Sequence, residues 1–406
     1  MSINFEELAR ARADDIVDLT QRLVAIRTVN YDTTNFPNGG PDGMESPGEE
    51  SKVAEVIADE FRAMGIEPQF FGEHPRQDVV GVIGRQEPGY RKLLLPTHSD
   101  TVPSGEEAWT EMADPFKPVV KDGYIFGRGS FDNKGPMAAT IAMARMLKQY
   151  EDQIPGAIIF AAVHDEEVGM SAGLTELVKS GSIDATDAII PDVGEEMARV
   201  IIAEKEIMML DVIAKGKEAH GSTPQNGINA VVALAGYMAA LDNYVLRHEA
   251  DPRFSDGPTI NVGMLNGGSA PNTVPGSAKA SLDMRYLPGR TRRQVLRELR
   301  NLRRTYEKGG ATFRPVVKMH MESHSVDPDD DLVKAIVQYS GADAIGIGGR
   351  TVCGALAKAG LTAVGWGPGE DKYFHVADER IAVQQLVDFA AKGSEIAMYV
   401  AQQRVH

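Results

Sequence analysis

The sequence predicts an α/β protein: a mixed β-sheet with flanking helices forms one domain, and a second domain of α+β type is inserted into it. Over the first 200 residues, short apolar runs of strand character alternate with segments of helical periodicity. Residues 201–317 lack this alternation, and it returns afterwards. We therefore assign residues 1–200 and 318–406 to one domain and residues 201–317 to the inserted one.

The first domain opens with helices and continues with strands. Charged and apolar residues recur at helical spacing over residues 1–23 and again over 52–64, where Gly65 would end the helix. Four apolar runs then indicate strands, with the helical segments "PMAATIAMARMLKQY" and "SAGLTELVKSG" among them; the runs are "DVVGVIG", "KLLLPTH", "AIIFAAV" and "DAIIPDV". In such α/β sheets ligands usually bind beyond the carboxyl ends of the strands.

The inserted stretch has a different pattern. Its strand-like runs are separated by glycine turns and read "EIMMLDVIAKG", "TINVGMLNGG" and "AKASLDMRYLPG". Two long helical segments cover residues 227–248 and 291–309. After it, "DLVKAIVQYSG", "LTAVGWGPG" and a final helix from about Ala382 resume the earlier alternation.

Composition excludes several classes of protein. With 406 residues the chain is long enough for two domains, and no apolar run approaches the ~20 residues that cross a bilayer. A net charge of −16 argues against a nucleic-acid partner. The single cysteine, Cys353, agrees with a reducing compartment, and the N-terminus lacks the features of a signal peptide. We expect a cytoplasmic protein.

Acids and histidines collect at the ends of the predicted strands and in Gly-bounded turns. Any one of them alone is more often a structural residue than a ligand. A shared sheet edge would bring them together, and their side chains are those of a metal site. They are His98 and Asp100 in "LLLPTHSD", Asp132 in "GRGSFDNKG", Glu166 and Glu167 in "VHDEEVG", Asp192 in "AIIPDVG" and His375 in "GEDKYFHVADE".

The spacing of these residues suggests separate roles. In an extended segment residues i and i+2 face the same way, so Asp100 can accept a hydrogen bond from His98 and orient its ring. Glu166 and Glu167 point apart, so one can bind metal while the other faces a metal-bound water. Two histidines and three carboxylates exceed one tetrahedral zinc but suit two ions that share a carboxylate, and Asp132 is the natural bridge.

The chain resembles the co-catalytic metallopeptidase and amidohydrolase family (peptidase family M20) of acetylornithine deacetylase, succinyl-diaminopimelate desuccinylase, aminoacylase and glutamate carboxypeptidase. The resemblance runs in family order from residue 93 to 380. It rests on "THSDTVP", "DPFKPVVKDGYIFGRGSFDNKG", "DEEVG", "AHGSTPQNGINAV", "INVGMLNGGSAPNTVP" with "DMR", and "GPGEDKYFHVADE". It implies two divalent metal ions, with zinc expected and cobalt or manganese as alternatives.

The resemblance also implies individual roles. His98 and Asp192 would hold one metal, Glu167 and His375 the other, and Asp132 would bridge them. Glu166 would be the general base and Asp100 the partner of His98. Glu195 remains an alternative to Asp192, because "PDVGEE" departs from the Glu-Pro pair usual in acetylornithine deacetylases.

The inserted domain resembles the family's lid and dimerisation domain, which implies a homodimer. Its His220 would reach the partner's active site and stabilise the oxyanion. Asn272 and Arg285 match positions that contact a substrate carboxylate, with a structural ion pair as the alternative for Arg285. Arg350, in a segment that departs from the family signatures, is a further candidate for gripping a carboxylate.

The predicted function is hydrolysis of the amide bond of an N-acyl amino acid or a related small carboxylate. A metal-bound hydroxide would attack the carbonyl carbon, with Glu166 as general base. A dipeptidase or carboxypeptidase on the same site is the first alternative, because such peptides share the scissile amide and the free carboxylate. A non-catalytic metal-binding protein is the second alternative.

Overall fold

The computed structural model describes residues 3–36, 40–105, 108–168, 172–307 and 309–405. The chain forms two compact units. The first comprises Met1–Ile202, Val326–Ile345 and Thr351–His406, and the second comprises Ala203–Ser325 and Gly346–Arg350. No helix in the described ranges is long and apolar enough to span a membrane.

Strands and helices alternate along much of the chain. In chain order the strands are β1 (Gln69–Glu73), β2 (Arg76–Ile83), β3 (Lys92–His98), β4 (Val119–Lys121), β5 (Tyr124–Phe126), β6 (Ala157–Val163), β7 (Asp187–Ile190), β8 (Arg199–Glu204), β9 (Glu206–Lys215), β10 (Ala219–His220), β11 (Thr259–Gly267), β12 (Thr273–Val274), β13 (Ser277–Tyr286), β14 (Thr312–Met321), β15 (His324–Ser325), β16 (Asp343–Ile347), β17 (Thr362–Gly365) and β18 (Arg380–Ala382).

The α-helices, in the same order, are α1 (Phe5–Arg10), α2 (Ala13–Val24), α3 (Ser51–Ala63), α4 (Lys134–Leu147), α5 (Ala172–Lys179), α6 (Ala230–Asp242), α7 (Arg292–Arg303), α8 (Asp331–Ser340), α9 (Cys353–Lys358) and α10 (Val383–Ala401). Short 3₁₀ turns lie at Pro41–Gly43, Lys148–Gln153, Pro224–Asn226 and Asp371–Tyr373.

The first unit is built on a mixed sheet with the order β1-β2-β6-β3-β7-β17-β8. The four inner strands, β6, β3, β7 and β17, run parallel to one another, whereas β1, β2 and β8 pair antiparallel to their neighbours. The prediction of a mixed α/β sheet with flanking helices is therefore confirmed. Parallel strands direct their carboxyl ends to a single edge, and that edge carries the site described below.

Helices cover both faces of this sheet. Along β6, Ile158 and Phe160 belong to a core shared with α2, α3, α4 and α10, whereas Ile159 and Ala161 belong to a core shared with α5 and α9. A strand buried on both faces needs apolar residues at every position, which explains why "AIIFAAV" shows no alternation.

The second unit contains a four-stranded antiparallel sheet with the order β11-β13-β9-β14. Alternate residues of β13, such as Ala280 and Leu282, enter a core formed with α6 and α7. Thr291 and Gln294 form a capping box that begins α7. Because β14 pairs with β9 through Met321, residues 318–325 lie in this unit, whereas the sequence-based boundary at residue 318 falls inside β14.

Two helix predictions differ from the structure. The N-terminal segment forms two helices, α1 and α2, that are separated at Ala11 and Arg12. The segment predicted to be helical to residue 248 ends at Asp242. Beyond it, the Tyr244 hydroxyl and the Arg247 backbone N–H both donate to the Glu298 carboxylate, and these tertiary hydrogen bonds replace those of a continued helix.

Candidate active site

Three adjacent parallel strands deliver side chains to one edge of the first unit's sheet. His98 is the last residue of β3, Glu166 and Glu167 follow the end of β6, and Asp192 follows the end of β7. The alternation of strand and helix predicts this convergence, because the carboxyl ends of neighbouring parallel strands meet.

Asp132 comes from the loop between β5 and α4, and His375 from the loop after β17. Apolar packing brings these loops together: the rings of Phe131 and Phe374, each one residue before a site residue, lie with their centroids 4.5 Å apart. Gly369 has a φ of +96°, and a Cβ there would stand 2.2 Å from the Phe131 ring, so the close approach requires glycine.

Histidines and carboxylates make close contacts at this edge. The Nε2 atom of His98 lies 2.9 Å from Asp132 Oδ1, and the Nε2 atom of His375 lies 3.1 Å from Asp132 Oδ2. Glu167 Oε2 lies 3.2 Å from the same His375 nitrogen. One oxygen of Asp132 thus faces each imidazole, so both carboxylate oxygens lie beside predicted ligand nitrogens.

These residues fit a divalent metal. One ligand atom from each of His98, Asp132 and Glu167 lies within 4.8 Å of the other two. Glu167 Oε1 is buried with no hydrogen-bond partner in the part of the chain that the structure describes, although a buried carboxylate oxygen ordinarily has one. Imidazole and carboxylate ligands suit zinc, cobalt or manganese. His98, Asp132, Glu167 and His375 would hold the metal.

The electrostatics of the site without metal reflect crowded, buried charges. Burial raises the pKa of Glu166 to about 7; His98 opposes this shift, and the charges of Asp192 and Asp132 add to it. Burial and the charge of Asp132 likewise raise the pKa of Glu167 to about 7. The influence of Asp192 on Glu166 places Asp192 in the same charged cluster, and its role as a ligand stays a prediction.

These pKa values predict how metal should affect stability. Glu166 and Glu167 bind protons more tightly in the metal-free folded chain than in the unfolded chain, where the pKa is near 4.5. Metal-free stability should therefore fall as pH rises from about 4.5 to about 7. A bound dication favours the ionised carboxylates. We expect the increase in Tm on adding Zn²⁺ to be larger at about pH 7.5 than at about pH 5.5; an increase independent of pH in a thermal-shift titration would contradict this.

Asp100 contacts both the turn that carries Glu166 and Glu167 and the ring of His98. Its Oδ1 accepts the backbone N–H of Glu166 at 3.1 Å, and its Oδ2 accepts that of Glu167 at 3.0 Å. The Nδ1 atom of His98 lies 3.1 Å from the Asp100 backbone oxygen and 3.4 Å from Oδ1. The predicted orientation of His98 thus comes mainly from a backbone carbonyl, and the carboxylate also positions the two glutamates.

Glu379 is a supporting residue that sequence reasoning missed. Its Oε1 accepts the backbone N–H groups of Gly129, Phe131 and Asp132, each at 3.0 Å, and its Oε2 accepts from Arg128 Nη1 at 2.6 Å. Both charged side chains are buried. Glu379 lies four residues after His375 in "FHVADE", but spacing alone does not distinguish a buried acid from an exposed one.

Replacing Glu379 with Ala should destabilise the fold by about 3–5 kcal/mol, because it leaves the buried Arg128 guanidinium without its counter-ion. Urea denaturation would measure the loss. Glu370→Ala is a control, since Glu370 pairs with the exposed Lys372 and should cost under about 1 kcal/mol. Equal losses in the two variants would contradict the assigned role.

The second unit places His220 beside Asn272. β10 pairs with β12, so His220 lies opposite Thr273, and the Gly221 N–H donates to the Asn272 carbonyl at 2.7 Å. The Ser222 backbone N–H donates to His220 Nδ1 at 3.2 Å. The Ser222 hydroxyl oxygen also lies 2.7 Å from Nδ1. In the tautomer in which Nδ1 accepts both contacts, the neutral ring carries its proton on Nε2, and that nitrogen is a donor.

Both candidate substrate-binding arginines make ion pairs within the second unit. Arg285 forms a bidentate pair with Asp283, with contacts of 2.8 and 2.9 Å. The structural ion pair that was the alternative to substrate contact is therefore present. Arg350 lies 3.1 Å from the buried carboxylate of Glu204 and donates to the Glu322 carbonyl. Substrate contact stays a prediction for both arginines.

The fold and the His/carboxylate cluster define a metal-dependent hydrolase. Residues 94–399 match the sequence profile of peptidase family M20/M25/M40, and the chain belongs to this family. It is a metal-dependent amidohydrolase or peptidase, as predicted.

Known relatives differ in their substrates. An acetylornithine deacetylase from Myxococcus xanthus is 29% identical over 317 residues, which cover 76% of this chain and 80% of the relative. A tripeptidase from Staphylococcus aureus superposes with a TM-score of 0.75 at 22% identity, covering 96% of this chain and 99% of that one. A dinuclear metal-binding M20 peptidase from Bacillus subtilis superposes with a TM-score of 0.69 at 14% identity, covering 97% of this chain and 99% of that one. At these identities the two structures establish the fold alone.

Proposed function

We propose that this hydrolase is a deacylase that cleaves the amide bond of an N-acyl amino acid or a related small carboxylate. The observation that carries the hydrolytic mechanism is the different placement of two neighbouring glutamates. Glu167 contacts His375 and belongs to the ligand cluster, whereas Glu166 lies outside that cluster, and its pKa is raised to about 7. A general base works best with a pKa near the operating pH.

The proposed ligand set is that of the sequence analysis: His98 and Asp192 for one ion, Glu167 and His375 for the other, and Asp132 between them. Two bound divalent cations, with zinc preferred, would polarise the amide carbonyl and make water acidic. Glu166 takes the proton from the attacking water and delivers it to the leaving nitrogen. The Asp100 carboxylate keeps Glu166 in place by accepting the Glu166 backbone N–H.

The sequence relative supports a deacylase over an exopeptidase, because the likeness to the tripeptidase is one of fold alone. A dipeptidase or carboxypeptidase is the alternative on the same site. In either reaction a carboxylate on the substrate would need cationic or hydrogen-bond-donating partners, and Arg285, Arg350 and the amide of Asn272 are the proposed contacts. We place the enzyme in the cytoplasm, consistent with its single, buried cysteine.

A substrate panel tests this proposal. N-acetyl and N-succinyl amino acids and dipeptides would be incubated with metal-loaded protein, with and without a chelator. We expect chelator-sensitive release of an amine from at least one N-acyl amino acid, faster than from any dipeptide. Faster cleavage of dipeptides would favour the exopeptidase, and no cleavage across the panel would favour a non-catalytic metal-binding protein.

We further propose a homodimer in which His220 donates from Nε2 to the oxyanion in the partner's site. Replacing His220 with Ala should lower kcat by about 10²–10³-fold, the effect of losing one oxyanion donor. Metal content should not change, because His220 is not among the proposed ligands. His248→Ala is a control from the same unit, and steady-state kinetics with metal analysis would compare them. Full activity in the His220 variant would remove this assignment.

A further inference from the structure

Asp165 is the first of three consecutive acids, and the proposed function gives it no role. It lies between β6 and the two functional glutamates and adopts a left-handed backbone conformation with a φ of +60°. Aspartate, asparagine and glycine are the residues that most readily adopt this conformation. The chain therefore bends sharply just before Glu166.

The Asp165 side chain is held from two directions. Its Oδ1 accepts from Arg76 Nη2 at 2.9 Å and from Asn30 Nδ2 at 2.9 Å. The same Arg76 binds Glu50 through two contacts, of 2.9 and 3.2 Å. Glu50 is fully buried and also accepts the Asp165 backbone N–H at 3.4 Å. The bend is thus attached to residues at the beginnings of α3 and β2.

Asn30 connects the Asp165 side chain to the metal-ligand cluster. Its Nδ2 group donates to Asp165 and also, at 2.8 Å, to Asp100 Oδ2. Asp100 in turn accepts the backbone N–H groups of Glu166 and Glu167. A continuous set of hydrogen bonds therefore runs from Arg76 to the backbone of both glutamates.

We propose that Asp165 is a positioning residue: held by Arg76 and Asn30, its carboxylate fixes the turn that presents Glu166 and Glu167 to the metals. The inference rests on the proposed roles of these two glutamates. Supporting residues around metal ligands typically contribute 10–100-fold to metal affinity or activity. The Arg76–Asp165 pair is more than a quarter exposed on both sides, so its loss should affect the site more than overall stability.

The test compares Asp165→Gly with Asp165→Asn. Glycine keeps the left-handed backbone but removes both contacts, whereas asparagine retains an oxygen that can accept from Arg76 and Asn30. Asp122→Gly is the matched control, because Asp122 has a φ of +52° in the exposed turn between β4 and β5. Affinity for Zn²⁺ would be measured by competition with a chromogenic chelator, and the site geometry by the visible spectrum of the Co²⁺-loaded protein.

We expect Asp165→Gly to bind Zn²⁺ about 10–100-fold more weakly, to alter the Co²⁺ spectrum and to lower kcat with little change in KM. Asp165→Asn and Asp122→Gly should resemble the wild type. Wild-type affinity and spectrum in Asp165→Gly would overturn the proposal. If that variant fails to fold, Asn30→Ala carries the same expectation, and unchanged affinity there would overturn it equally.

The readouts separate this proposal from the proposed function. Weaker metal binding in Asp165→Gly, together with a wild type that cleaves no substrate, would support the positioning role and reject the deacylase. An active wild type with unchanged metal binding and kcat in Asp165→Gly would support the deacylase and reject the positioning role. A wild-type chain that binds neither Zn²⁺ nor Co²⁺ would overturn both.

Discussion

Glu166→Gln is expected to lower kcat by about 10²–10⁴-fold, the usual contribution of general acid–base catalysis. The amide retains the size and much of the polarity of the carboxyl group but cannot take a proton from water. Metal content should stay at the wild-type level, because Glu167, and not Glu166, contacts His375 in the ligand cluster. Steady-state kinetics would measure kcat, and elemental analysis of the same preparation would measure metal content.

Two further variants control this result. Glu167→Gln should lose metal together with activity. Glu195→Gln should leave both near wild type, since the Glu195 backbone N–H donates to Asp371, whereas the charge of Asp192 helps to raise the pKa of Glu166. If Glu166→Gln loses metal while Glu167→Gln retains it, the two roles are reversed.

Asp132→Ala should have the second large effect. Both of its carboxylate oxygens face imidazole nitrogens, and in the proposed ligand set its removal would deprive the two metals of their shared ligand. We expect metal bound per chain to fall below the wild-type value and kcat to fall by more than about 100-fold, the upper end of the cost of losing an outer-shell group. Isothermal titration with Zn²⁺ and steady-state kinetics would measure the loss.

Asp187→Asn provides a matched control for this variant. Asp187 is also a buried aspartate with a charged partner, Arg91, at 3.0 Å, but it begins β7 at the end of the strand opposite the site. It should cost stability without changing metal stoichiometry. Retention of full metal binding by Asp132→Ala would contradict the bridging role.

The alternation of apolar strand-like runs with helical segments was sufficient to predict the edge of the sheet at which these residues converge. His98 ends one apolar run, and the pair Glu166–Glu167 follows another after His164 and Asp165; parallel neighbours bring such ends together regardless of the details of packing. The mixed sheet and its flanking helices follow from the same pattern. The structure brings His98, Asp132, Glu167 and His375 into contact, while their roles as ligands remain to be tested.

The missed features depend on contacts between distant segments. Glu379 accepts hydrogen bonds from a loop about 250 residues earlier, and Arg350 pairs with the buried Glu204. Neither partner is adjacent in sequence, and an acid or arginine in a loop has no local signature of burial. The early end of α6 also depends on a contact with a distant segment, because Glu298 accepts hydrogen bonds from residues that would have continued the helix.

The central claim is that hydrolysis requires the bound metal pair. The most direct measurement removes metal from the purified chain, adds Zn²⁺ back in stoichiometric steps and follows cleavage of the best N-acyl amino acid from the panel. We predict no activity without metal and an increase that reaches its maximum at two equivalents per chain. Full activity in the metal-free chain, or binding of two equivalents without any hydrolysis, would contradict the claim.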